Sequence, residues 1–307
     1  MPTDLELSIF RTLCWFSIFN YPLTTFEIWK WLLRPVRPYD LFEVTQILSH
    51  SSWLSDRIIE QDGFWTLPRA KHVSAVKERH ERFLNAIVKY KKLHSACYFF
   101  QLISGVRAVA SVNTLAWWHT TKESDIDVFI VTSPNMIWST RFFLVLPFVL
   151  IGNRPARMEN VEVSDPFCFS FFATSEALQL EELKLNSEDF YLAFWIKSLV
   201  PMFDRSDVFS QLASLNRWAD VILPNAKPRI SHPVHRTRRI FSNPIQLSFL
   251  EPFLRSIQKK RFPPRIVALA NQDSRVVISD QILKFHDQDR RAQFIREFNQ
   301  IYEREMG

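Results

Sequence analysis

Asp125 and Asp127 stand two apart in an otherwise apolar run, Lys122-Glu123-Ser124-Asp125-Ile126-Asp127-Val128-Phe129-Ile130-Val131-Thr132. Side chains of an extended strand alternate between faces, so this spacing sends both carboxylates to one side and Ile126, Val128 and Ile130 to the other. Two carboxylates held that close repel each other and raise one another's pKa unless a divalent cation neutralises them. Oxygen donors of this kind suit a hard cation, and the pair is read as a magnesium site, with manganese as its substitute.

The elements that must position the pair surround it in the chain. Ala108 to Ala110 reads as a first strand that ends at a turn, Asn113-Thr114, and Asp125 to Thr132 as a second strand. Pro134 to Ile151 reads as mostly helical, and Phe167 to Ala173 as a third strand without a carboxylate in it. Mixed order of this kind predicts an α/β core over residues 104–175. Asp165, just before Pro166, is the acid nearest to the third strand.

On these residues the chain resembles the nucleotidyltransferase superfamily of DNA polymerase beta type. Within it, the phrases FNYPLTTFEIW, KESDIDVFIVT and LKFHDQDRR resemble bacterial proteins that place a winged helix before a minimal nucleotidyltransferase domain. The resemblance implies a magnesium-dependent enzyme that takes a nucleoside triphosphate, ATP for preference, and transfers its nucleoside monophosphate to a hydroxyl of a protein, an RNA or a small molecule. It implies metal binding by Asp125 and Asp127, nucleotide contacts from Asn113, Thr114 and Ser124, and Asp165 as the candidate base. In the family a Gly-Ser pair ends the first strand and holds the triphosphate. Here Asn113-Thr114 takes that place. Thr keeps a hydroxyl for the phosphate, and Asn tolerates a left-handed backbone better than other non-glycine residues. A chain that kept the fold and lost turnover, serving as a binding or adaptor protein, is the alternative, and a winged-helix nucleic-acid-binding regulator is another.

Composition narrows the field. Only 4 glycines occur, at 63, 105, 152 and 307, so neither a P-loop nor a dinucleotide fingerprint can be written. Cys14, Cys97 and Cys168 are scattered singly, which argues against zinc and against a disulfide framework and fits a reduced, cytoplasmic setting. The start, MPTDLELSIF, lacks the basic region of a signal peptide. The longest apolar run, Phe142 to Ile151, is about half of what a membrane span needs and contains Pro147, so a buried helix is expected and no membrane partner.

The expected organisation is α+β and multidomain. Residues 1–76 read as a winged helix-turn-helix. Apolar residues at Leu5, Ile9, Leu13 and Phe16 follow helical spacing, and Thr24 with Glu27 and Asp40 with Glu43 form capping boxes for a second and third helix. Gln61-Asp62-Gly63 then turns a hairpin. The third helix has two acids and no Lys or Arg, so DNA reading by it forgoes most of the phosphate attraction. Residues 77–103 form a linker helix with basic residues on a solvated face. Residues 176–307 are expected to be mostly helical, with helices over 176–185 and 190–202, a short strand over Arg275 to Ile278, and a last helix from Gln281 to Glu303 that carries His286 on a polar face. Within them lies a proline-rich basic strap, 227–265, with ten Lys or Arg against one acid, Glu251, a candidate nucleic-acid contact. Its prolines exclude one continuous helix.

Overall fold

The computed structural model describes residues 1–68, 72–152, 165–186, 189–229 and 248–306. Thr3, Thr24 and Asp40 each close a capping box, with Glu6, Glu27 and Glu43, and so start α1 (Asp4–Ser17), α2 (Thr25–Lys30) and α3 (Leu41–His50). A short α4 (Ser52–Ser55) leads to β1 (Ile59–Gln61) and β2 (Phe64–Thr66), an antiparallel hairpin. Asp62 and Gly63 both have positive φ, 53° and 80°, the backbone that a tight two-residue hairpin turn requires. Three helices and a hairpin thus follow in the expected order, and Leu23 adds an isolated bridge to Trp65.

The long helix α5 (His72–Phe100) leads into β3 (Val106–Ser111), α6 (Asn113–Ala116), β4 (Ile126–Thr132), α7 (Ile137–Leu150) and β5 (Phe167–Thr174). After them come α8 (Phe190–Ser198), β6 (Val200–Asp204), α9 (Val208–Leu215) and α10 (Trp218–Ile222), then α11 (Glu251–Arg261), α12 (Pro264–Leu269), β7 (Val276–Ile278), β8 (Ile282–Phe285) and α13 (Arg291–Met306). Six strands form one mixed sheet in the order β6-β3-β4-β5-β8-β7. β4 runs parallel to β5, and the other neighbours are antiparallel.

Helices cover both faces of this sheet. Ile126, Val128 and Ile130 pack on one side beneath α5 and α7, with Tyr90, Leu93, Phe100, Ile137 and Phe148. Phe129, Val131, Phe171 and Ala173 pack on the other beneath α8 and α9. The faces of β4 therefore alternate as its sequence requires, and Asp127 belongs to the second side. The core of α1 to α4 is completed by Phe190, Phe194, Ile222 and Phe298, so the N-terminal helices share a hydrophobic interior with α8, α10 and α13.

Several sequence expectations are corrected. The sheet does not end at residue 175: β6 and β8 come from stretches expected to be helical, and β7 is the short strand expected over Arg275 to Ile278. The helix expected over 190–202 stops at Ser198 and continues as β6, where Pro201 is tolerated because β6 is an edge strand. The final helix begins at Arg291, because Ile282 to Phe285 is a strand. The basic side of α5 is not simply solvated: Lys89 is fully buried and bonds to the Ser124 carbonyl at 2.7 Å and to Asp165. α7 is not fully buried either, since Leu150 is 75% exposed.

The basic strap lies partly outside the described residues, at 230–247. Its later part forms α11 and α12, with prolines at their starts, where a missing N–H costs nothing. The strap's one acid, Glu251, accepts the Trp138 and Ser139 N–H groups at 2.8 Å each and so caps α7 from a neighbouring helix. Among the described residues, no helix is long and apolar enough to cross a membrane.

Candidate active site

The carboxylate pair sits where β3 ends, β4 and β5 begin and β8 ends. Lys89 fixes the approach to it by holding the carbonyl of Ser124. Asp125, just ahead of β4, is exposed, and Asp127 inside the strand is half-buried. β3 reaches the same point from the other side: the Val112 N–H donates to the Asp127 carbonyl at 3.2 Å. Tyr90 buttresses this end from α5, with its hydroxyl 2.9 Å from Ser111 Oγ and donating to the Leu115 carbonyl at 3.0 Å.

Asn113 has φ 54°, the left-handed conformation that its position in the turn led us to expect. Its side chain hydrogen-bonds the Asp127 carboxylate, and so does the Cys168 thiol. Burial nevertheless dominates. It pushes the Asp127 carboxyl up from 3.8 to about 6, the charge of Asp125 pushes the same way, and the two hydrogen bonds pull less strongly downward. Thr114 is exposed beside this turn, and its carbonyl accepts the His119 N–H at 2.9 Å. Ser124 has a local role: its Oγ accepts the Thr121 N–H at 2.9 Å and closes the turn before Asp125.

Asp165 stands apart in its bonding. Its two oxygens bond separately to Lys89 and Lys92. Burial alone would raise its pKa, but hydrogen bonds and charge from the two lysines outweigh that and hold it below the usual carboxylate value. Its backbone is left-handed, with φ 53°, immediately before Pro166, whose carbonyl accepts the Ile126 N–H at 2.8 Å. A carboxylate clamped in this way anchors the start of β5 to α5.

On β5 the register puts Cys168 opposite Asp127. Burial, then the charge of Asp127, drives the Cys168 thiol well above its ordinary pKa, so it is a neutral donor here and not a thiolate. Ser170, two residues on, has its Oγ 3.0 Å from His286 Nε2. His286, expected on a polar helix face, instead follows the end of β8. Burial first, and then the charge of Lys284, lowers its pKa to about 3 and keeps it neutral. Tyr191 of α8 also faces this region: burial and the charges of Asp127 and Asp289 raise its phenol to about 12.

Sequence reasoning passed over Cys168 and Ser170, and it placed His286 on a polar helix face in preference to the site. The first two carried a usable signal, since they alternate on β5 as the aspartates do around β4. His286 is 116 residues from Ser170, and only the pairing of β8 with β5 brings them together. Among the described residues, no three or more His, Cys, Asp or Glu side chains converge as a metal-ligand group. Two carboxylates are still an adequate protein contribution for magnesium, which keeps several waters and takes further oxygens from phosphates.

No protein-family model, curated protein or solved structure matches the chain.

Proposed function

We propose that the chain is a magnesium-dependent nucleotidyltransferase that moves a nucleoside monophosphate from a nucleoside triphosphate, ATP for preference, to a hydroxyl acceptor. The observation that carries this reading is the joining of the left-handed Asn113 turn to the carboxylate strand, where the Val112 N–H donates to the Asp127 carbonyl at 3.2 Å and so sets the turn after one strand beside the carboxylates of the next. Asp125 and Asp127 would hold the ion, and the Asn113-Thr114 turn would receive the phosphates. Magnesium there supplies neutralisation of the charge that develops during transfer. The chain's own groups orient the reactants: the exposed Thr114 hydroxyl can donate to a phosphate oxygen, and Asn113 keeps Asp127 aimed.

The place of a third carboxylate on β5 is taken by Cys168 and Ser170. His286 is neutral and hydrogen-bonded to Ser170, but burial holds it far below the basicity of an efficient base. General-base help is typically worth about 10² to 10⁴-fold, so its weakness slows transfer without abolishing it. The same observation favours a second reading, a nucleotide-binding adaptor that has lost turnover. The N-terminal helices and hairpin we read as a winged helix used for docking.

Calorimetric titration with Mg²⁺ and ATP tests the site: binding is expected for the native chain and none for the Asp125→Asn/Asp127→Asn double variant. Equal affinity in the two sinks the reading. Incubation with labelled nucleoside triphosphates and cell extract then separates enzyme from adaptor, since only the enzyme leaves a labelled acceptor.

A further inference from the structure

A groove of about 320 Å³ opens at the other end of α6 from the carboxylates, between α2, the β1-β2 hairpin and the Trp117-Trp118 segment. Three cations line it, Lys30, Arg79 and Arg229, against one acid, Glu27. Glu27 is already saturated. One oxygen takes Arg79 at 2.6 Å and the Tyr21 hydroxyl at 3.3 Å, and the other takes the Thr24 N–H and hydroxyl at 3.0 Å each. Arg79 is held by that pair and by stacking over Tyr21 at 4.1 Å.

Lys30 and Arg229 are different. Arg229 donates to the Ala116 carbonyl at 3.2 Å, and Lys30 lies 4.8 Å over the Trp31 ring. Neither has an ion-pair partner among the described residues. Both are half-buried, and Lys30 is pushed down to about 8 by burial first and by Arg229 next. Two desolvated cations held near each other, with Glu27 as a nearby counter-charge that is already bonded to Arg79, are unfavourable in a site that stays empty, and an anion relieves both terms. The walls beside them are aromatic: Trp31 and Trp117 lie 4.6 Å apart between centroids, and Phe26 is 54% exposed at the rim. Aromatic faces next to unpaired cations match a ligand that joins a flat ring to a phosphate. The volume, near the lower bound of small-molecule pockets, suits one nucleotide unit and not a polymer.

We infer that this groove is a binding site for a free mononucleotide, with the phosphate on Lys30 and Arg229 and the base against the Trp117 and Phe26 rings, while Trp31, itself buried, backs them. The groove's lining includes neither Asp125 nor Asp127, and Arg229 bonds Ala116, at the end of α6 away from Asn113.

The test is quenching of tryptophan fluorescence in the full chain, with chelator present so that no divalent ion takes part. Adenosine monophosphate is expected to quench saturably, with adenosine and inorganic phosphate each at least tenfold weaker. Lys30→Gln/Arg229→Gln should weaken the nucleotide at least tenfold. Phe26→Ala, at an exposed rim position that does not carry the fold, should weaken it at least threefold. Asp125→Asn/Asp127→Asn should leave it unchanged. Unaltered affinity in both groove variants overturns the site, and loss in the aspartate variant alone reassigns the nucleotide to the carboxylates and overturns it too. Phosphate as tight as the nucleotide, or a short oligoadenylate that binds more tightly than the monomer, overturns the mononucleotide assignment. None of these outcomes bears on whether Asp125 and Asp127 take magnesium.

Discussion

Asp127 and Cys168 face each other across the parallel β4-β5 pair, and the Cys168 thiol donates to the Asp127 carboxylate. A neutral donor of this kind supports the charge of Asp127 without cancelling it. The carboxyl therefore stays raised, from 3.8 to about 6, under the larger influence of burial.

A raised carboxyl destabilises the fold whenever it is ionised. Asp127 binds its proton more tightly folded than unfolded, so its contribution is most favourable below pH 4 and is lost as pH rises through 6. Asp127→Asn, similar in shape and uncharged, should then stabilise the ligand-free protein by roughly 1–3 kcal/mol at pH 8. The gain should vanish at pH 4. Thermal melts at the two pH values check this, and a variant equally stable to the native chain at pH 8 refutes the raised value.

The same proton competes with a metal. Under the nucleotidyltransferase reading, magnesium must displace it, so affinity should be flat above pH 7 and fall by up to about tenfold per unit below pH 6. Calorimetry in buffers of different ionisation enthalpy would detect the proton released at pH 6 and none at pH 8. Affinity independent of pH from 5 to 8 would exclude Asp127 as a ligand.

The DxD spacing, the Asn113 turn and four strands of the sheet were legible because each depends on local alternation and local backbone preference. The rest of the site was not, because it depends on long-range pairing. β6 was hidden inside an apolar run that reads equally well as helix, and only its edge position reconciles Pro201 with a strand. β8, which delivers His286 to Ser170, is four residues long, and its neighbours Asp287, Asp289, Arg290 and Arg291 look like the polar start of a helix. In the structure Arg291 is instead buried between Asp189 and Asp289, at 2.7 Å from each. The role of Lys89 was equally invisible, since a lysine on a long amphipathic helix ordinarily extends into water.

Asp165 separates a structural part from a chemical one. If it anchors β5 to α5, Asp165→Asn should lower the melting temperature at pH 7. Because its folded pKa is depressed, the stability it contributes is present above the ordinary carboxylate value and is lost as pH falls through the lower folded value, so the gap between native and variant should close only under strongly acid conditions. Lys89→Ala should be more damaging, by about 1–3 kcal/mol, because it leaves one Asp165 oxygen unpaired, with Lys92 still on the other, and frees the Ser124 carbonyl that sets the approach to Asp125. A base would behave otherwise: turnover would fall by about 10² or more with stability unchanged.

Asn113 holds two functions that substitution can pull apart. Its φ of 54° favours glycine or asparagine, and its side chain bonds Asp127. Asn113→Gly keeps the backbone and removes the bond, so the fold should survive with little loss, and the Asp127 pKa should rise further because a hydrogen bond to its charged form is gone. Under the nucleotidyltransferase reading, the pH at which magnesium affinity begins to fall should shift upward with it. Asn113→Ala removes the bond and adds a left-handed penalty of about 1–2 kcal/mol, so it should be the less stable of the two. Urea denaturation orders the variants and carboxyl titration by NMR reads Asp127. If alanine proves as stable as glycine, the turn is not left-handed, and the link between the Asn113 turn and the carboxylate pair loses its basis.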